Sequence, residues 1–184
     1  VSSSMTARQT ETVERLLAAG AEELRVTGAE ALTIRTVAGR AGVSPATAYT
    51  YFASKNHLFA ELFWRAVLTG PQPAPVGATP VERVCGVTRH LTALLAASPE
   101  LAAGTTAALL ATDADVARLR LRIGGEFAAR FRAAIGDAAD DVLVETLALA
   151  FSGALLQAGM GLLTYTEMGE RLDAVVATIM RGNA

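Results

Sequence analysis

Four consecutive residues, Gly42-Val43-Ser44-Pro45, close one helix and open another. Glycine after a helix takes the left-handed conformation that ends it. Serine caps the next helix by accepting a hydrogen bond from its first turn, and proline at the first helical position loses nothing, because that N–H is unpaired in any case. Thr33 is an equally good N-cap for IRTVAGRA. The punctuation therefore predicts two short helices, about 33–41 and 45–52, joined by a tight turn, which is the helix-turn-helix arrangement.

The same reading extends to the whole chain. Val13, Leu16, Leu17, Ala21 and Leu24 recur on one helical face across 9–27, and Gly28 ends that helix. Residues 29–32 then connect to Thr33. Ser54 caps a fourth helix with Phe59, Leu62, Phe63 and Ala66 as its buried stripe. The segment TGPQPAPVGATP (69–80) holds four of the six prolines and no charge, and reads as a connecting loop. Beyond it, helices are expected over 81–97, 99–112, 114–135, 138–164 and 168–181, with Ser98-Pro99 and Asp113 as start signals. No strand-like alternation persists. The expected fold is all-α: an N-terminal three-helix helix-turn-helix head over 1–65, then a helical bundle over 66–184 for ligand binding and dimerisation. The content of 52% apolar but only 5% aromatic residues suits helices packed through Ala, Val and Leu.

The stretch 33–58 contains Arg35, Arg40 and Lys55 and no acid, although the net charge of the chain is −2. A positive surface is thus local. Ala48 and Phe52, four apart, turn one face of the second short helix to a core with Val43. Ala46, Thr47, Thr50 and Tyr51 occupy the other faces, with Pro45 and Tyr49 at the flanks. A helix of this kind enters the major groove by its N-terminal end, where Thr reads base edges and Tyr hydroxyls donate to phosphates. Lys55, just after the Ser54 cap, adds a cation to a helix end that is already partly positive, which is sensible with an anion in front of it. Thr33 offers a second phosphate site. The expected partner is double-stranded DNA.

The motif LTIRTVAGRAGVSPATAYTYFASKNHLF (32–59), preceded by a helix at the expected distance, resembles the DNA-binding head of the tetracycline-repressor (TetR) family of bacterial transcriptional regulators. The resemblance rests on Thr33, Val37-Ala38, Ala41-Gly42-Val43-Ser44, Tyr49, Tyr51-Phe52, Ser54-Lys55 and Leu58. It implies that Thr33, Tyr49, Tyr51 and Lys55 hold phosphates, while Ser44, Pro45, Ala46 and Thr47 approach bases or adjacent backbone. It further implies a dimer on a near-palindromic operator, usually repressing, with helices near 138–164 and 168–181 as the interface and an effector pocket in the middle helices. One departure is the N-terminal arm, VSSSMTARQTETVE, whose only basic residue is Arg8; this argues against DNA contacts from it.

The C-terminal part has no motif of its own. Its uncharged segment TLALAFSGALLQAGMGLLTYT (146–166) is long enough to span a bilayer, but Asp140, Asp141, Glu145, Glu167 and Glu170 crowd its ends and no Lys/Arg flank follows. It is apolar around its circumference, so a second copy is the expected cover, with a central helix of a monomeric bundle as the alternative. Pocket candidates are Trp64, Val87, Leu91, Leu109, Phe127, Phe131, Phe151 and Leu155, with His90, Cys85, Gln157 and Tyr165 as polar handles; the implied effector is small and mostly apolar. Two histidines, one cysteine and the absence of a phosphate-binding loop, a Gly-x-Ser-x-Gly motif or metal-ligand spacing leave catalysis, metal and cofactor without residues to serve them. A single cysteine and no signal-peptide core fit a cytoplasmic setting. The competing reading is a helical ligand-binding or interaction protein with a non-functional DNA head.

Overall fold

The computed structural model describes residues 6–70 and 72–182, and among these it contains helices and turns but no strand. The order is α1 (Ala7–Ala31), α2 (Ile34–Ala41), α3 (Pro45–Tyr51), α4 (Lys55–Phe63), α5 (Pro80–Ala97), α6 (Pro99–Leu109), α7 (Ala114–Ile135), α8 (Asp141–Gly159) and α9 (Tyr165–Arg181). α1 starts earlier than its hydrophobic repeat predicts, because Thr6 and Gln9 form a reciprocal capping box. Residues 1–5 of the expected arm lie outside the described residues; Arg8 lies in α1. At Gly28 (φ 80°) α1 breaks and then makes one further turn.

Two apolar cores form. In the first, Leu16 and Leu17 of α1, Val37 and Ala38 of α2, Ala48 of α3, and Leu58 and Phe59 of α4 pack together with Leu101 and Ala108 of α6. In the second, α5, α7, α8 and α9 bury Leu91, Phe127, Phe131, Leu147, Phe151 and Met168 with Phe63 from the end of α4 and Val67 and Leu68 just after it. α6 belongs to both sides of the molecule. Its Thr105 hydroxyl donates to the Phe59 carbonyl at 3.3 Å. Close approach is possible because residue 104 is glycine: a Cβ there would lie 2.5 Å from the Phe59 ring.

Three local expectations are corrected. Ala66 is exposed, whereas Val67 and Leu68 are buried. α4 continues into a π-helical turn, Trp64–Leu68, in which Thr69 N–H bonds the Trp64 carbonyl at 3.0 Å; the extra residue shifts the buried stripe. The helix expected over 138–164 runs from Asp141 to Gly159 and is followed by a turn with Gly161 at φ 76°, after which Thr164 and Glu167 form a capping box that starts α9 three residues early. Asp113 precedes α7 but does not cap it with its side chain. Its carboxylate accepts from Asn56 Nδ2 at 3.2 Å instead.

Among the described residues, α8 is the one helix long and apolar enough to cross a membrane, and a third of its apolar window is buried within the chain. The remainder is partly or fully exposed, Val142 (72%) and Leu149 (67%) most of all among its large apolar side chains.

Candidate nucleic-acid interface

The α2–turn–α3 unit is held by local bonds and then by packing. The Thr33 hydroxyl accepts from Thr36 N–H at 3.1 Å. Gly42 takes φ +66°, and Gly42 and Val43 N–H return to the Gly39 and Ala38 carbonyls at 3.2 and 3.0 Å. An L side chain is disfavoured at that φ, so the turn needs glycine. Arg15 of α1 donates to the Ala41 carbonyl, covering the negative end of α2. The Ser44 hydroxyl accepts from Thr47 N–H at 3.1 Å, and Pro45 opens α3.

Ala48 (1% exposed) and Phe52 (3%) anchor α3 in the head core, with Val43 partly buried beside them. Ser44, Pro45, Ala46, Tyr49 and Thr50 are exposed, and Thr47 is half-buried. These positions surround the N-terminal end and outer face of α3. Tyr49 is 49% exposed, while Tyr51 packs partly against the core. The hydroxyls are locally satisfied: Ser44 and Thr47 share a 2.8 Å bond, and Thr50 donates to the Ala46 carbonyl at 3.1 Å. Thr47 and Thr50 each retain a lone pair for a further donor, and Ser44 retains either a lone pair or its O–H.

The cations divide differently from the expectation drawn from charge alone. Arg40 donates to Glu23 at 2.7 Å; Glu23 is only 6% exposed, so this pair neutralises a buried carboxylate. Lys55 Nζ donates to the Glu30 carbonyl at 3.0 Å and lies 5.9 Å from the Phe59 ring centroid. Its charge thus already has a negative partner at the last turn of α1, without an external anion. Arg35 is exposed and makes no ion pair among the described residues. Sequence reasoning missed Glu23 because it lies 17 residues from Arg40, on another helix.

The expected pocket residues are not brought together around a void. Leu91, Phe127, Phe131 and Phe151 are core, with Phe151 edge-on to Phe127 at 4.9 Å and to Phe131 at 5.9 Å. Leu155 is buried at the core's edge and Leu109 packs half-buried against it. Trp64 lies between head and bundle, its ring stacked under the Arg122 guanidinium at 3.9 Å. Val87 alone of the eight lines the cavity of about 340 Å³ between residues 72–76, α5 and α7. That cavity also takes His90, Glu126 and Arg130. Burial and the nearby Arg130 charge push the His90 pKa below its ordinary value, so the ring is neutral at neutral pH. Of the other polar handles, Cys85 is buried with its thiol pKa raised by desolvation, and Tyr165 is likewise buried. Gln157 is exposed.

Residues 16–62, which span α1 to α4, match the family model described as bacterial regulatory proteins, tetR family. The chain is 46% identical over 177 residues to uncharacterised HTH-type transcriptional regulators of Mycobacterium bovis and Mycobacterium tuberculosis, covering 95% of this chain and 83% of each relative. The chain belongs to the TetR family. It is a DNA-binding transcriptional regulator of the helix-turn-helix type, and the family is one of regulators, not enzymes. The TetR fold extends beyond the head. A TetR regulator from Rhodococcus sp. RHA1 superimposes with a TM-score of 0.78 at 20% identity, over 94% of this chain and 96% of that one. Thermus thermophilus FadR, a TetR-family repressor solved with lauroyl-CoA, superimposes with a TM-score of 0.61 at 20% identity, over 89% and 92%. At such identities the likeness is one of fold.

Proposed function

We propose that this TetR-family regulator is a cytoplasmic repressor that binds a near-palindromic operator as a homodimer and is released by a small, mostly apolar effector. The observation that carries the reading is the outer face of α3: polar, exposed, free of acid, and fixed on a buried Ala48–Phe52 anchor. Ser44, Pro45, Ala46, Thr47 and Thr50 meet base edges or the adjacent backbone. Thr33, Tyr49, Tyr51 and Lys55 hold phosphates, Lys55 exchanging its carbonyl partner for the stronger charged one. The functional division is a reading head over 1–65 and a sensing and dimerising bundle over 66–184.

The second copy covers α8 and α9. Val142, Leu149 and Leu156 recur every seven residues on α8, Gly153 permits close helix approach between them, and Val175 of α9 extends the patch. Two reading helices then face two half-sites. Release requires that the effector bind the DNA-incompetent arrangement more tightly, since a ligand with equal affinity for both shifts nothing. The shared α6, with Thr105 on the Phe59 carbonyl, supplies a packed route from bundle to head.

The test is binding of the full chain to the DNA upstream of its own gene and to scrambled DNA of equal length across a salt series. Tight, salt-steep binding to the first alone supports the operator reading. Equal weak binding to both sends the question to an unbiased selection of DNA sequences, and failure to enrich a palindrome there overturns it.

A further inference from the structure

The cavity between residues 72–76, α5 and α7 has polar groups whose bonding is incomplete. Its wall is otherwise Pro73, Pro75, Val76, Val87 and similar apolar surface. The Arg130 side chain is only 10% exposed. Its Nε donates to Glu126 at 2.9 Å and one terminal nitrogen donates to the Leu68 carbonyl at 2.8 Å. The other terminal nitrogen, Nη1, is buried with no hydrogen-bond partner among the described residues. His90 Nε2, from the facing helix, is buried and unpartnered as well. The Gln72 amide N–H groups, which His90 Nε2 could accept, are directed instead to the Gly70 and Val67 carbonyls.

An arginine nitrogen can only donate, so what is missing beside Arg130 is an acceptor oxygen. Leaving such a donor buried and unpaired is costly, and a ligand that supplies the acceptor recovers that cost on binding. The charge balance then selects the kind of oxygen. Glu126 already offsets the Arg130 charge, and the half-buried His90 is neutral, so the cavity carries no net charge. A carboxylate would bring an uncompensated charge against apolar walls, or would have to displace Glu126. A ketone, ester or amide carbonyl brings the acceptor without the charge.

We infer that this cavity is a binding site for a small apolar molecule bearing a neutral carbonyl, which accepts from Arg130 and lies beside His90. The inference rests on the proposed effector-released mechanism only for its biological use; the site itself is defined by the cavity and its two unpartnered groups. About 340 Å³ is at the small end of ligand cavities, which run roughly from 300 to 1,000 Å³. The occupant is therefore compact. Residues 72–76 form one wall, and the π-helical turn after α4 ends at Leu68, whose carbonyl Arg130 holds, so an occupant here touches the segment that leads back to the head.

The test compares 2-octanone with octanoate by calorimetric titration of the full-length protein at neutral pH. The ketone is expected to bind about tenfold more tightly than the carboxylate, the worth of one charge-assisted bond gained against a charge buried. Arg130→Gln should reduce ketone affinity by about the same factor. Because Arg130 also holds the Leu68 carbonyl, a second variant, Val87→Phe, fills the cavity without touching the polar network and should abolish binding of both probes. Octanoate binding more tightly, with dependence on Arg130, overturns the neutral-carbonyl class. Ketone binding that is indifferent to Val87→Phe, or no binding of either probe, overturns the site. The DNA complex is then assayed separately. Ketone that binds the cavity but leaves the complex intact defeats the effector mechanism and spares the site. Release of DNA by another molecule with undiminished potency from Val87→Phe spares the mechanism and defeats the site.

Discussion

Asn56 donates to the Asp113 carboxylate at 3.2 Å, tying the first turn of α4 to the start of α7 across 57 residues of sequence. Ser54 and Asn56 hold the Asp113 carboxyl below its ordinary pKa. Ser54 is the N-cap of α4, so the same short segment that positions Lys55 also contacts the bundle. The head's orientation is therefore coupled to the position of α7 as well as to α6.

That bond has a pH signature. A carboxyl whose folded pKa is depressed contributes stability above its unfolded pKa and loses it as pH falls through the folded value. Asn56→Ala should raise the Asp113 pKa, read by carbon NMR of the carboxyl. The thermal-melt difference between the two proteins should be present at neutral pH and vanish below the carboxylate range.

Gly104→Ala places a Cβ 2.5 Å from the Phe59 ring. An aromatic ring in a packed core has little room to give, so a loss of about 1–3 kcal/mol is expected in chemical denaturation. Gly124→Ala is the control. Nothing lies within 4 Å of a Cβ there, and the exposed helical position should gain up to about 1 kcal/mol.

Phe151→Ala should behave as a core deletion. Phe151 is 1% exposed and touches both Phe127 and Phe131, so a loss of about 3–5 kcal/mol is expected. Affinity for a cavity ligand, measured on the protein that remains folded at low temperature, should change little, because the ring does not line the 340 Å³ cavity.

For DNA, Lys55→Ala should weaken binding to all sequences and flatten the salt slope by about one unit per half-site. Thr47→Ala should change preference at particular base positions, by about 1–3 kcal/mol per position. A uniform loss for Thr47→Ala in a binding selection would contradict direct readout.

Leu149→Arg tests the second copy. Leu149 is 67% exposed in one chain and buried in the proposed dimer. Sedimentation should show the variant as a folded monomer with operator affinity lost. A variant that sediments as the parent protein does would remove α8 from the interface.

Caps and turns were legible in the sequence because their physics is local. Thr33, Gly42, Ser44-Pro45 and Ser54 act within one helical turn, and each sits where its residue type predicts. The alternation of Ala48 and Phe52 with exposed neighbours was legible for the same reason: helical period alone assigns the faces. The all-α class and the start of α7 after Asp113 follow likewise. By itself the sequence determined the helix-turn-helix unit and the family.

Tertiary structure decided what depends on residues far apart in the chain. Arg40 is spent on Glu23, Lys55 rests on the Glu30 carbonyl, and Asp113 turns from its own helix to Asn56. A π turn exposes Ala66 and buries Val67 and Leu68. Apolar residues on the inner faces of several helices look alike in sequence, whether they fill a core or line a void. Which they do depends on how side-chain volumes from α5, α7, α8 and the 72–76 loop sum in space, and that sum is written only in the packed molecule.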